Sequence, residues 1–377
     1  MISKQQPVSI SNGMAKKLLV ITQKVDKKDP VLGFFHGWLT AFAARFEQLT
    51  VVCLGAGEFD LPENVKVLSL GKEEVKLGIR NYGLWNKLYY VWRFCKYIWR
   101  ERNNYDVVFV HMNPEYVILG VPLWLVWRWR KKIILWYNHE VAGFWLRLAM
   151  LLANRVLYTS PYAVSARSKK SISMPVGIDT DVFKDVSRRV RTGTERILYL
   201  GRIAPIKGVD IIVEAVKILL QKKMQVSLTV VGDVDDQTAK DRAYRDKIMS
   251  YRTVGPLSGA FAVLPAEPSR KLVMQFYNAN DFFINASPPG LFDKTVFEAM
   301  ACGTIPLVSS KAFQGLLPPQ CFFKQGDADD LAKILIKMIS MSLNERQTLR
   351  RTLRQSVVDR HSLSMLTEKL QQIIRKL

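Results

Sequence analysis

Two loops in this chain carry residues suited to handling a phosphate. One is "RIAPIKG" at 202–208, where Arg202 and Lys207 precede a helical stretch. Fixed cations beside a helix N-terminus can neutralise a diphosphate and stabilise the charge that grows when it leaves. Alone, that fragment reads more plainly as a solvated loop. The second loop, in "ASPPGLFDKTVFEAMACGTIPLV" at 286–308, changes the weighing. Ser287 to Phe292 is Pro/Gly punctuation, Asp293 is placed to cap a helix over Lys294–Cys302, and Gly303 ends it in the left-handed conformation. Such a helix directs unpaired N–H groups back into its loop, a setting for an anion. In the first half, Gly33 in "DPVLGFFHGW" could open another helix toward the same space, although an ordinary strand-to-helix turn would also use it. His139, in "YNHE", could meet a ligand or be a hydrogen-bonded structural imidazole. His111 is a second, weaker candidate, and His36 and His361 are not expected to be catalytic.

The elements around these loops alternate. Strand-like runs at 17–22, 49–55, 65–70, 106–111 and 132–139 are separated by helical patterns, and the series restarts at 196–201, 227–232, 261–264, 281–285 and 304–308. That order predicts an α/β fold of two Rossmann-like, doubly wound parallel-sheet domains facing across a cleft, with ligands at the carboxyl ends of strands. We expect a disordered extension over 1–13, an N-terminal domain over 14–183, a C-terminal domain over 184–360, and a helix over 361–377 that crosses back. A length of 377 residues with 49% apolar and 23% charged residues suits a globular chain of this kind. All nine tryptophans precede residue 146, a shift in composition at the scale of a domain. The four cysteines are scattered without metal-ligand spacing, as in a reduced cytosolic protein, and the first 13 residues lack the apolar core of a signal peptide.

With "GRIAPIKG", "VVGD" and "FEAMACGTIPLV" in this order and spacing, the chain resembles the group 1, or family 4, glycosyltransferases of the GT-B fold. The likeness extends over most of residues 15–375 and is strongest at 196–310. It implies retaining transfer of a sugar from a nucleotide diphosphate donor, with no required metal and no cofactor besides that co-substrate. By the same resemblance the domain over 14–183 is the acceptor side and the domain over 184–360 binds the nucleotide-sugar. It also implies that Arg202 and Lys207 hold the diphosphate, Glu298 binds the ribose, and amides around Lys294 and Thr295 complete the phosphate cradle. Gly33 matches the family's glycine loop and His139 its cleft histidine, which would bind the donor sugar or an acceptor phosphate. One departure stands out: the family shows Glu-x7-Glu, whereas Gly290 occupies the first position in the donor site. Asp293 is close enough in sequence to substitute as a catalytic carboxylate, or it only caps the helix. A nucleotide-sugar or lipid-head-group binder without turnover is therefore the alternative reading.

A net charge of +22 implies an anionic partner. No nucleic-acid recognition module is visible, so nucleic acid is not expected. Residues 72–132 hold twelve basic against five acidic side chains, interleaved with aromatics. Within them, "LWNKLYYVWRFCKYIWR" (84–100) places Leu88, Trp92, Cys95 and Trp99 on one helical stripe, and such helices can lie in a membrane interface. The plainer alternative is that the stripe covers the N-terminal sheet. The apolar run at 117–127 is 11 residues long, short of the roughly 20 that span a bilayer. The expected setting is cytoplasmic, peripheral on the inner membrane face, with an anionic lipid surface and a glycan or lipid-linked acceptor as partners. Asp233 and Asp235 in "GDVDD" could be mistaken for the metal-binding DxD of GT-A enzymes, but their late position favours a solvated loop. No P-loop, GxGxxG or His/Cys metal cluster is present.

Overall fold

The computed structural model describes residues 16–29, 31–74, 84–125, 131–186, 193–234, 238–253, 255–267 and 269–377. The expected extension over 1–13, Trp127, Trp129 and Asp235 lie outside the described residues. The first domain runs β1 (Leu18–Val25), α1 (Gly33–Ala43), β2 (Leu49–Ala56), β3 (Val65–Ser69), α2 (Leu84–Arg100), β4 (Val107–His111), α3 (Pro114–Leu125), β5 (Lys132–Trp136), α4 (Phe144–Leu152), β6 (Arg155–Tyr158) and β7 (Ser171–Ser173). Its seven strands form a parallel sheet in the order β3-β2-β1-β4-β5-β6-β7. Side chains alternate between its faces: Leu18 and Val20 of β1 pack toward α1, whereas Leu19 and Ile21 pack toward α2, α3 and α4. Burial on both faces is why these strands are nearly continuous apolar runs.

The second domain runs β8 (Glu195–Leu200), α5 (Val209–Gln221), β9 (Val226–Val231), α6 (Ala239–Ser250), β10 (Phe261–Leu264), α7 (Arg270–Ala279), β11 (Phe282–Asn285), α8 (Lys294–Ala301), β12 (Ile305–Val308), α9 (Ala328–Ile339) and α10 (Leu343–His361). Its parallel order is β10-β9-β8-β11-β12. In both sheets the strand order reverses beside the first strand, at β1/β4 and at β8/β11. Open α/β sheets place their ligands beyond the carboxyl ends at such a point, and the loops at 202–208 and 286–293 leave from there.

A last helix, α11 (Leu363–Arg375), crosses back to the first domain. Its Leu366, Leu370, Ile373 and Ile374 enter the core beside α1. Where the chain passes between domains, Gly177 and Ile178 both donate N–H bonds to the His361 carbonyl at 3.0 and 2.8 Å, and Leu363 donates to Ile178 at 2.7 Å. Trp38 of α1 adds a hydrogen bond from Nε1 to the Gly177 carbonyl at 3.0 Å.

Candidate active site

The two loops expected to act together do touch. A β-carbon added to Gly208 would meet the Ala286 β-carbon and carbonyl oxygen, each at 3.1 Å, so the loop after β8 lies on the loop after β11. At this junction Lys207 Nζ donates to Asp293 at 2.9 and 2.8 Å and to Ser287 Oγ at 3.2 Å. Asp293 also accepts from Asn285 Nδ2 at 2.8 Å and Ser287 Oγ at 2.7 Å. Burial acts to raise the Asp293 pKa, but the Lys207 charge and these hydrogen bonds outweigh it and hold the carboxyl below the usual aspartate range.

The backbone of Asp293 stands at the N-cap of α8, yet its side chain makes no capping bond. The carboxylate is engaged by Lys207 instead, which leaves the first amides of α8, at Lys294 and Thr295, unclaimed by it. Gly303 ends the helical turn at φ 67°, as its position in the sequence implies. Arg202, on the same loop as Lys207, is exposed, and its carbonyl accepts the Tyr199 hydroxyl at 2.6 Å. Burial drives the Tyr199 pKa well up, Asp293 adds to the rise and Arg202 opposes it, so one phenol senses both charges.

One turn along α8 from Lys294 stands Glu298, whose carboxylate accepts the Tyr277 hydroxyl at 3.3 Å. Burial raises the Glu298 pKa, against the opposing charges of Lys294 and Arg270. Burial pushes Lys294 the other way, down to about 7, with Glu298 resisting. The Lys294 ammonium sits over the Phe34 ring at 3.7 Å and 5.2 Å from the Trp38 ring. Helix α1 therefore faces α8 across the cleft, with the carboxyl ends of both sheets toward each other. Arg270, paired with Asp179 at 3.2 Å, approaches from α7; a β-carbon on Gly37 of α1 would lie 3.0 Å from its Nη1.

Gly33 begins α1, but its N–H bonds the Asp29 carbonyl at 2.9 Å, and the Asp29 carboxylate takes the amides of Val31 and Leu32 at 2.9 and 2.7 Å. The residue of this turn that reaches across the cleft is Phe34. His139 lies three residues beyond the end of β5, exposed, edge-on to Tyr137 at 5.4 Å. His111 does not belong to the cleft surface: it is buried, stacked on Phe35 at 4.4 Å and beside Thr22 Oγ1 at 3.4 Å. Burial, helped by Lys294, pushes it down to about 3, which keeps it neutral. His36 pairs with Asp60 at 3.1 Å and His361 packs on Phe297 at 4.8 Å. Asp233 accepts the Ala266 amide at 2.9 Å, bracing the ends of β9 and β10.

Sequence reasoning alone does not single out Phe34, Trp38, Arg270, Tyr277, Asn285 and Ser287 as residues of the site. The available signal is an asparagine closing an otherwise apolar strand at 282–285. Among the described residues, no group of three or more His, Cys, Asp or Glu side chains could hold a metal ion.

Residues 194–341 match the family described as "Glycosyl transferases group 1". A D-inositol 3-phosphate glycosyltransferase of Segniliparus rotundus is 28% identical over 154 residues, which is 39% of this chain and 33% of the relative. Its counterpart from Nocardiopsis dassonvillei is 25% identical over 150 residues, 37% of this chain and 34% of the relative. The chain thus spans about a third of the length of these curated relatives. Among solved structures, a sucrose-phosphate synthase from Thermosynechococcus elongatus is similar with a TM-score of 0.74 at 16% identity, covering 96% of this chain and 99% of the other. Anabaena HepE, solved in complex with UDP and glucose, gives a TM-score of 0.72 at 18% identity over 96% of this chain and 100% of the other. These likenesses establish the GT-B fold that the sequence resemblance implied.

Proposed function

We propose that this chain, a GT-B protein whose second domain carries the group 1 glycosyltransferase pattern, moves a sugar from a nucleotide diphosphate donor to a hydroxyl acceptor with retention. The observation that carries this reading is the junction of the β8 and β11 loops. There Lys207 is bonded into the loop that opens α8, Arg202 stands exposed on the same loop as Lys207, and the first amides of α8 are left without a side-chain cap. A diphosphate seated there would meet cations and amide dipoles that match the charge it gains on departure. The acceptor hydroxyl would attack the anomeric carbon on the face the diphosphate leaves. The new glycosidic bond forms as the bond to phosphate breaks, and the hydroxyl proton passes to the departing phosphate oxygen. The protein contributes orientation and electrostatic stabilisation, and no metal is needed for this step.

Anabaena HepE was solved with UDP, which makes a uridine donor the first to try. A thermal-shift screen against UDP-, GDP- and ADP-sugars tests the reading. One donor should stabilise the protein, and both Arg202→Ala and Glu298→Ala should abolish that shift; no shift with any donor would refute it. One observation favours the binder without turnover: all three directions of the Lys207 ammonium are occupied by Asp293 and Ser287. Release of free nucleotide from the matched donor in the presence of protein excludes that alternative.

A place at the membrane is supported by α2. Phe94 and Ile98 are the residues that cover the sheet, whereas Leu88, Trp92 and Trp99 of the stripe point outward and Trp85 is 82% exposed. Lys96 stands over Trp92 and Arg102 over Trp99, each at 4.8 Å. On the same side of the sheet α4 exposes Phe144 and Trp145. Cations interleaved with exposed aromatics suit a shallow, peripheral seat on anionic lipid, with a glycan or lipid-linked acceptor and a cytoplasmic inner-face setting. Among the described residues no helix is long and apolar enough to cross a membrane.

A further inference from the structure

The missing first carboxylate of Glu-x7-Glu has a structural counterpart in the other domain. Gly290 has φ 94°, and a β-carbon built on it would overlap Glu140 Oε1 and lie 2.6 Å from Glu140 Cδ and 3.0 Å from Oε2. The space into which any side chain at 290 must project is therefore filled by a carboxylate from the loop between β5 and α4. The two arrangements exclude each other: Glu140 can stand here only because residue 290 has no side chain. The contact is not isolated, since Ser160 Oγ donates to the Gly290 carbonyl at 3.4 Å from the same domain as Glu140. Glu140 also directly follows His139, the residue expected to meet the donor sugar or an acceptor phosphate.

Asp293 is a poorer substitute. Its oxygens are engaged by Lys207, Asn285 and Ser287, so it has little acceptor capacity left for a ligand. Glu140 is exposed at the cleft, on a loop where a glutamate can rotate about its side-chain bonds. We infer that Glu140 supplies, from the first domain, the carboxylate that accepts hydrogen bonds from hydroxyls of the transferred sugar, in place of a glutamate at 290. Because a charged acceptor makes stronger hydrogen bonds than a neutral one, losing it should weaken the sugar's hold and leave the nucleotide's largely intact. Placing that carboxylate on the opposite domain also makes sugar contact depend on the cleft being closed.

This inference rests on the donor reading above, and the experiment separates the two. Binding is measured by calorimetry for the pairs UDP and UDP-glucose, GDP and GDP-mannose, and ADP and ADP-glucose, using wild type, Glu140→Ala, Glu140→Gln and the double variant Glu140→Ala/Gly290→Glu. For the pair that binds, Glu140→Ala should leave the free nucleotide within about twofold and weaken the nucleotide sugar about tenfold or more. Glu140→Gln should fall between, and the glutamate restored at 290 should recover part of the loss. Variants that hold the nucleotide sugar as tightly as wild type overturn the role of Glu140 alone. A wild type that takes none of the six ligands overturns the donor reading instead.

Discussion

Asp293→Asn should separate the stability of the site from its affinity for a diphosphate. In the wild type Lys207 and Asp293 are paired at 2.8 Å with side-chain exposures of 18% and 23%, so the pair is largely shielded from water. Unit charges about 4 Å apart attract by about 4 kcal/mol at an effective dielectric near 20. Removing one partner of a buried pair costs about 3–5 kcal/mol. Asparagine keeps an acceptor for Ser287, so the low end applies, about 3 kcal/mol. For a domain of 150–250 residues that corresponds to a fall of roughly 6–12 °C in Tm. Affinity should move in the opposite direction. Lys207 regains a free N–H and an uncompensated charge beside the α8 amides, and a hydrogen bond to a charged group is worth about 1.5–3 kcal/mol. UDP should therefore bind roughly ten to a hundred times more tightly by calorimetry, and Lys207→Met should reverse the gain. Weaker or unchanged UDP binding by a folded Asp293→Asn protein would show that Asp293 orients Lys207 for the ligand rather than competing with it.

On the outer face of α2, Trp85→Ala/Trp92→Ala should lose most cosedimentation with vesicles containing phosphatidylglycerol, and wild-type binding should fall as salt rises; equal binding to neutral vesicles would refute the membrane face. His111 is held neutral, with its pKa lowered from 6.5 to about 3, so its contribution to stability is complete above pH 6.5 and is lost as pH falls toward 3. At pH 5 the loss is about 2 kcal/mol, and in urea melts His111→Gln should shrink the difference between pH 7 and pH 5 by that amount. Phe34→Leu keeps apolar bulk and removes the ring beneath Lys294, which should cost about 1–2 kcal/mol in urea unfolding; a change under about 0.5 kcal/mol would mean the ring contributes only its bulk.

Long apolar strands and Gly-bounded helices were legible because local pattern and tertiary environment agree there. "FAVL" at 261–264 coincides with β10, and α8 stops one residue before its expected end. The strands β6 and β7 were not legible: "RVLY" and "SIS" are too short and too mixed to show a period, and they exist because β5 offers an edge to β6 and β6 in turn offers one to β7. Within the site, Lys207 and the 286–293 loop could be brought together from their positions after neighbouring strands. The partners of Lys207 could not, because an aspartate at a helix start looks like a cap whether or not its carboxylate turns elsewhere. Nor could the approach of Glu140 to Gly290, which depends on how two domains meet across 150 residues of chain.

The paired passages at Gly177–Ile178 and His361–Leu363 determine how the molecule can move. Two chain segments bonded to each other and to Trp38 form a single seam, so a swing of the domains would turn about that edge. Close to that edge Trp38 is bonded to Gly177, and Lys294 rests on the faces of Phe34 and Trp38. A ligand that draws that ammonium toward itself would therefore loosen a contact beside the very edge that the two domains share.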